Sequence, residues 1–246
     1  MTLEETRNLG IEFERRVQTM IPETELTDKL DTETIYSFLN QYQDKYIHEI
    51  YRSLDQIPSG TKLSSHVESI LQNMLTWADG EEVRSSDTPI TDPNYIDIID
   101  TARSITYSLP ENFYMYLRSV SKVSSTFAFK RSDNSTEAPL DILPNQLVSQ
   151  SDVWKLVETP HNSLRILRYP AAVLSQYEDN KPTLTVIYDQ YTTIKGVKVL
   201  YYKQPAHFDI MTSTACELPM DAFDDIVSGA VDLYVQYVAG AVERRK

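Results

Sequence analysis

The chain has 246 residues, of which 41% are hydrophobic and 24% charged. It can therefore bury a substantial core as one domain or two small ones, and neither wholesale disorder nor a fibrous repeat fits its composition. Its 36 acidic and 23 basic residues give a net charge of −13. This charge argues against binding to the phosphate backbone of a nucleic acid, because such binding needs clustered Lys and Arg. The charge is compatible with an acidic surface along which DNA slides without sticking.

Neither a secretory signal nor a membrane span is predicted. The first ten residues, MTLEETRNLG, contain acidic residues where a signal peptide has basic ones, and no apolar stretch follows. The most apolar window near the end, 226–242, contains Asp232 and Gln236 and is too short and polar to cross a bilayer. The single cysteine, Cys216, excludes an internal disulfide and provides no metal cluster.

Two helices are predicted first in the chain. Thr2 and Glu5 have the spacing of a capping box, and the apolar residues after them recur every three to four positions. This first helix is expected to end before Pro22. The same period continues over 35–54 and predicts a long second helix.

A third helix is predicted over 63–78, with Ser65 and Glu68 as a second capping box and Gly80 at its end. Asp92, which precedes a proline, has the features of an N-cap and predicts a fourth helix. Its buried face would consist of Ile98, Ile99, Ala102 and Ile105.

The second half of the chain has the composition of strands. Residues 113–129 are rich in aromatic and β-branched side chains and lack Gly and Pro, which predicts a strand. A polar loop is expected over 132–144, and further strands over 163–167, 183–188 and 194–202. Apolar residues alternate in the last two, which predicts an antiparallel hairpin with one buried face.

A last helix is predicted after Pro219. Its first turn would hold Asp221, Asp224 and Asp225, where exposed backbone N–H groups and the helix macrodipole favour negative charge. A broad apolar stripe follows, formed by Phe223, Ile226, Val227, Ala230, Leu233, Tyr234, Tyr237 and Ala241.

The order of helices, strands and a final helix predicts an α+β fold: a mainly helical domain with an inserted small antiparallel β module and a closing C-terminal helix. We expect an N-terminal helical region at 1–110, a β-rich module at 111–205 and a C-terminal region at 206–246. The closing helix is expected to pack back on the helical region.

Few residues suggest chemistry. The six glycines are too scattered for a nucleotide-binding loop, and the four histidines lack the spacing of a zinc site. Cys216 with His207 could form a nucleophile and base, and Asp221, Asp224 and Asp225 could act as acid and base or bind Mg²⁺. A buried structural cysteine and a charged first helical turn explain the same residues without chemistry. We therefore expect no catalytic, cofactor or metal site.

Two segments resemble structural proteins of tailed bacteriophages, in particular those of crAss-like phages. The first, 182–219, contains TLTVIYDQYTTIKGVKVLYYKQP, a strand pair ending in Tyr-Tyr-Lys-x-Pro, and a later Cys-Glu-Leu-Pro turn that leads into the helix AFDDIVSGAVDLY. The second is the long helix TIYSFLNQYQDKYIHEIYRSL. Together they cover about half of the chain.

The resemblance implies a non-enzymatic subunit of the head-to-tail connector, an adaptor that assembles as a twelvefold homo-oligomeric ring in the virion neck. The implied partners are the portal protein, the adjacent ring or tail proteins, and double-stranded DNA that passes without sequence-specific binding. It also implies assembly in the bacterial cytoplasm. The chain has 16 tyrosines, a residue type enriched at protein interfaces. The candidate assembly interface consists of Tyr42, Tyr46, Phe223, Ile226, Tyr234 and Tyr237.

Two other classes of function remain open. One is a phage-encoded hydrolase or nuclease that uses Cys216 with His207, or the Asp221 carboxylate cluster. The other is a host-side regulatory protein that binds a ligand or partner as a monomer or dimer. A connector is a stoichiometric component of purified virions, whereas proteins of either other class are absent from them.

Overall fold

The computed structural model describes residues 1–21, 30–54, 63–86, 102–125, 140–153, 169–176, 181–189 and 192–243. The chain forms two compact units. The first, which we call the helical unit, consists of Met1–Leu75 and Lys203–Lys246, and the second, the sheet unit, of Thr76–Tyr202. The sheet unit is thus inserted into the helical unit, and it includes residues 76–110, which the sequence analysis assigned to the helical region.

The first two helices form where periodicity predicts them. Helix α1 spans Leu3–Met20, and Thr2 and Glu5 make the predicted capping box, each accepting a hydrogen bond from the other's backbone N–H. Helix α2 spans Thr32–Leu54. The Asp31 carboxylate accepts a hydrogen bond of 2.7 Å from a backbone N–H of its first turn. Both predicted helices are confirmed.

Helix α3 spans Ser65–Met74 and is shorter than predicted. Its N-cap is Ser64, whose hydroxyl accepts from the Val67 N–H, so the cap lies one residue before the predicted one. The chain then enters strand β1, Leu75–Asp79. The helical pattern had included Ala78, which instead packs against the core of the sheet unit.

The closing helix α4 spans Phe223–Glu243 and follows a 3₁₀ turn at Met220–Ala222. The ring of Tyr234 meets Phe13 of α1 and Phe38 of α2 edge-on, with centroid distances of 6.0 and 5.3 Å. Helix α4 therefore packs against both α1 and α2. The fully buried side chains of the helical unit include Leu9, Val17, Leu39, Ile70, Leu218, Ile226, Val227 and Ala230.

In the described residues, nine strands form two sheets. The four-stranded sheet has the order β1, β9 (Thr192–Lys203), β4 (Phe113–Ser125) and β5 (Leu140–Pro144). The five-stranded sheet has the order β2 (Glu81–Ser86), β3 (Ala102–Ser108), β8 (Pro182–Asp189), β7 (Ala171–Gln176) and β6 (Gln146–Leu147). In the five-stranded sheet, the pairs β2–β3, β3–β8 and β8–β7 are antiparallel, and β6 is parallel to β7. In the four-stranded sheet, β4 and β5 are antiparallel.

The fold is α+β, but the prediction of a mainly helical protein with one small β module is wrong. Strands occupy 75–86, where a helix end and a loop were expected, and 140–144, at the end of the expected loop. Strand β3 replaces the end of the predicted fourth helix, because Ile105 and Tyr107 are buried as alternate residues of a strand. The start of that helix at Asp92 and the predicted strand at 163–167 lie outside the described residues.

The predicted hairpin is also wrong, although both of its strands exist. Strand β8 lies between β3 and β7, whereas β9 lies between β1 and β4 in the other sheet. The alternating residues of both strands nevertheless belong to one hydrophobic core, which also includes Ile105, Tyr107, Val123 and Ala172. The two strands therefore meet through buried side chains of two packed sheets instead of through backbone hydrogen bonds.

We predict that Gly229→Ala destabilises the protein by about 1–3 kcal/mol. A Cβ at Gly229 in α4 would lie 1.8 Å from Cζ of Tyr42, so the tyrosine ring would have to move. Gly240→Ala, in the same helix, is the matched control, because a Cβ there meets no atom within 4 Å. The control should be neutral or stabilising by up to about 1 kcal/mol. Urea unfolding followed by circular dichroism measures both changes, and equal effects would contradict the close packing.

Candidate functional site

The segment that leads into α4 is bound by polar side chains of α2. The Asn40 amide donates to the carbonyl oxygen of Phe208 at 2.9 Å and accepts from the Phe208 N–H at 3.0 Å. The side chain of Gln43 is fully buried and donates to the carbonyl oxygen of Ala206 at 3.1 Å. These bonds use backbone groups of an irregular segment that would otherwise lack partners.

An ion pair joins the two ends of the same segment. The Lys203 ammonium donates to one oxygen of Glu217 at 2.7 Å, and the other oxygen accepts from the Ala206 N–H at 2.9 Å. Burial opposes ionisation of Glu217, but these two hydrogen bonds and the charge of Lys203 leave its pKa lowered. The Tyr51 hydroxyl donates to the Lys203 carbonyl oxygen at 2.9 Å. The pair thus joins the Tyr-Tyr-Lys-x-Pro and Cys-Glu-Leu-Pro motifs.

Cys216 is a buried part of the helical unit. It is 1% exposed, and its thiol lies 3.6 Å from the side-chain oxygen of Gln43. Its backbone N–H donates to the hydroxyl of buried Thr6 at 3.0 Å. Burial raises the pKa of the thiol to about 11, so the nucleophilic thiolate is disfavoured at neutral pH.

His207, the predicted base, is hydrogen-bonded elsewhere. Its Nε2 lies 2.7 Å from Oδ2 of Asp44 on α2, and its side chain is 58% exposed. The Cys216 thiol instead contacts Gln43. A nucleophile and its base must share a hydrogen bond or come close to doing so, and here each has a different partner.

The three aspartates around the start of α4 also have separate roles. Asp221 is exposed in the 3₁₀ turn, and Asp224 accepts from the Arg16 guanidinium at 3.0 Å. Asp225 accepts from the Tyr46 hydroxyl at 3.0 Å and lies 3.2 Å from His66 Nε2. Among the residues that the structure describes, no group of three or more His, Cys, Asp or Glu side chains could hold a metal ion.

The predicted assembly residues divide into buried and accessible ones. Ile226 is fully buried and Tyr234 is 9% exposed, so both belong to the core of the helical unit. Phe223, Tyr42 and Tyr46 are partly buried, and Tyr237 is 65% exposed.

The accessible tyrosines lie along the seam between α2 and α4. The rings of Tyr42 and Tyr46 stack with a centroid distance of 6.2 Å. The ring centroids of Tyr237 and Phe38 are 5.8 Å apart. We call Tyr42, Tyr46 and Tyr237, with the carboxylates beside them, the tyrosine surface.

The tyrosine surface is acidic. Burial, together with the negative charges of Glu49, Asp225 and Asp232, raises the pKa of the Tyr42 hydroxyl, so these carboxylates lie close to it. One cation offsets them in part, since Lys45 lies 5.8 Å from the Tyr42 ring centroid and 4.0 Å from Glu49. An acidic, aromatic surface of this kind suits a basic protein partner.

A cavity of about 590 Å³ lies beside the start of α2. Tyr36 and Phe208 line it with their rings edge to face at 5.8 Å. Asp209, also in the lining, accepts from the Met211 N–H at 2.8 Å and so stabilises its own turn. The cavity brings together aromatic rings with the hydroxyls of Thr32 and Ser37 and the carboxylates of Glu33 and Asp209.

Sequence reasoning missed the polar contacts that organise the helical unit. Asn40 and Gln43 are three positions apart on α2, and Gln43 sits among buried apolar residues. A polar residue on the apolar side of a periodic helix is the available signal, because a buried amide requires hydrogen-bond partners. The stacking of Arg118 over exposed Trp77, at 5.3 Å, was also missed. These two side chains come from strands far apart in sequence.

Comparison with known protein families and with curated proteins finds no match to this chain. In the part of the chain that the structure describes, no helix is both long and apolar enough to span a membrane.

We predict that Cys216 of the folded protein reacts slowly with a thiol reagent such as DTNB at pH 8, because its thiol is buried and protonated. Unfolding in urea should restore the reaction rate of a free cysteine. The increase in absorbance from the thiolate that the reagent releases measures both rates. Rapid labelling of the folded protein would reopen the assignment of Cys216 as a nucleophile.

We predict that Glu217→Gln lowers the free energy of unfolding by about 1 kcal/mol at neutral pH. The folded-state pKa of Glu217 is lowered, so its stabilising contribution exists above the ordinary value of 4.5 and disappears as the pH falls through the folded-state pKa. The difference between wild type and variant should therefore vanish in acid. Glu14→Gln, at an exposed position of α1, is the control and should change stability little at either pH.

Proposed function

We propose that the protein is a structural subunit of the head-to-tail connector of a tailed bacteriophage, which forms a homo-oligomeric ring between the portal and the tail. It would conduct the genome without a catalytic role. The observation that carries this proposal is that the two segments resembling phage structural proteins are bound to each other: α2 holds the 203–217 segment through Asn40 and Gln43.

This contact joins the long helix to the part of the other segment that begins at Lys203, whereas the strands β8 and β9 of that segment belong to the sheet unit. The Lys203–Glu217 pair connects the motifs at either end of the returning segment. The closing helix then completes the core against α1 and α2. A domain organised around these motifs supports the same connector role that the motifs suggest.

The residues that would serve the enzymatic alternative have structural roles. Cys216 is buried beside Gln43, and His207 pairs with Asp44. Asp224 and Asp225 pair with side chains of α1, α2 and α3. These contacts favour a structural protein over a hydrolase or nuclease.

A ring requires each subunit to offer two different surfaces that bind each other. The tyrosine surface is a candidate for one of them, because tyrosine combines a large rigid contact area with a hydroxyl that tolerates water. Helix α4 contributes to this surface while its opposite side fills the core. Its deletion would therefore unfold the helical unit, and point changes at exposed positions test assembly more directly.

We predict that the protein is present at fixed copy number in purified virions, and that Tyr237→Ser reduces its incorporation at least about tenfold while the variant stays folded. Ile11→Ser is the matched control, since Ile11 is 64% exposed and Tyr237 65%. Quantitative mass spectrometry of particles measures incorporation, and circular dichroism measures folding. Absence of the wild-type protein from virions would overturn the connector proposal.

Cys216→Ser and His207→Ala should leave infectivity near normal, provided that both variants fold. Loss of infectivity in both, with normal necks, would favour the enzymatic alternative.

A further inference from the structure

One side of the four-stranded sheet carries exposed basic side chains. In β4, Ser119, Ser121 and Val123 are buried, so Arg118 and Lys122, which alternate with them along the strand, point away from the core. Both are exposed. The sheet therefore presents cations on its solvent side although the chain has a net charge of −13.

Residues of the neighbouring strands extend this side. Arg118 lies over the ring of Trp77 in β1, and Lys198 of β9 lies 3.4 Å from Asp79 of β1. Lys122 is directly opposite Ile142 of β5 in the antiparallel register, so their side chains share one side of the sheet. We call Trp77, Arg118, Lys122, Ile142 and Lys198 the basic sheet face.

The basic sheet face also exposes apolar area. Trp77 is 45% exposed and Ile142 is 72% exposed. Large apolar side chains beside cations, with the Asp79 carboxylate among them, are characteristic of a surface that binds a partner. Its charge calls for an acidic partner with apolar or aromatic contact area.

We propose that the basic sheet face binds the tyrosine surface of a second copy of the chain, and that repetition of this contact builds the ring. This inference rests on the proposed connector function and specifies its subunit interface. The two surfaces are complementary in charge, since Glu49, Asp225 and Asp232 surround one and Arg118, Lys122 and Lys198 lie on the other. Both also contribute aromatic rings.

The two surfaces are similar in width. Four strands spaced about 4.8 Å apart span roughly 15 to 20 Å, and two packed helices, each about 10 Å in diameter, span roughly 20 Å. The contact joins two different surfaces, so each bound copy leaves one surface of each kind free for the next. Such a heterologous contact closes into a ring when the rotation between copies is an integral fraction of a turn.

The test uses the full chain with two double variants. Arg118→Glu with Lys122→Glu reverses the basic sheet face, and Glu49→Lys with Asp232→Lys reverses the tyrosine surface. All four positions are exposed, and circular dichroism verifies folding. Sedimentation velocity over a wide concentration range, at low and high ionic strength, measures association. The exposed Glu14→Lys substitution in α1 controls for changes in net charge.

The wild type and Glu14→Lys should form oligomers that weaken as salt is added, because screening reduces charge complementarity. Each double variant alone should associate at least about tenfold more weakly. A mixture of the two double variants distinguishes this arrangement from others. The reversed surfaces are now complementary to each other, and so are the two unchanged surfaces, so alternating mixed oligomers should form.

Three results would overturn the proposed interface: a wild type that is monomeric at all concentrations, double variants that associate like the wild type, or a mixture that forms no mixed species. Binding of the basic sheet face to a double-stranded DNA oligonucleotide, with loss in the Arg118→Glu and Lys122→Glu variant only, would assign the face to nucleic acid instead. Virion composition separates the two proposals. If the protein is present in virion necks but the double variants associate like the wild type, only the proposed interface is wrong. If the chain self-associates as expected but is absent from virions, only the proposed connector function is wrong.

Discussion

The helical unit depends on hydrogen bonds between α2 and the segment that follows the sheet unit in the chain. Gln43 and Ala206, which form one of them, are 163 positions apart. Without the returning segment, α1, α2 and α3 would lack α4, whose buried Ile226 and Ala230 complete their core. The polar contacts fix where the segment lies, and the apolar contacts of α4 supply most of the stabilisation, because a hydrogen bond contributes only about 1 kcal/mol net.

An inserted sheet unit is compatible with this arrangement. The entropic cost of closing a loop rises only with the logarithm of its length, so a long insertion between α3 and the returning segment adds little to the cost of a short one. The position of the returning segment must be specified. The Lys203–Glu217 pair joins its two ends, and the Asn40 contacts hold Phe208 between them. In the described residues every buried side-chain nitrogen or oxygen has a hydrogen-bond partner, as such a closure requires.

Sequence patterns predicted the helices that depend on neighbouring residues. They failed for strands whose pairing partners are far away in the sequence. The caps and periodicity of α1 and α2 depend on neighbouring residues, and both helices were predicted correctly. Alternation in β8 and β9 identified residues of the shared core, but the prediction of one buried face is wrong for β8, where Thr183 and Ile187 on the other side are buried too. Alternation also cannot specify a pairing partner, and the two strands lie in different sheets. Ile105 belongs to an apolar run too short to separate helix from strand. In the candidate site, Tyr237 was predicted to be an assembly residue from the tyrosine content and is exposed, and its role stays a prediction. The roles of Asn40 and Gln43 depend on residues over a hundred positions away.

The distribution of charge adds a constraint that net charge conceals. A value of −13 argues against phosphate binding for the molecule as a whole, yet Arg118, Lys122 and Lys198 come from two strands that only the fold makes neighbours. Exposed charges act over roughly 8 to 10 Å in physiological salt, so a partner at this face interacts mainly with charges within that distance. Segregated charge of opposite sign on two surfaces favours association in one orientation, because like surfaces repel each other. In the proposed ring, a subunit of this kind would combine a repulsive overall charge, which disfavours unspecific aggregation, with attraction in a single heterologous contact.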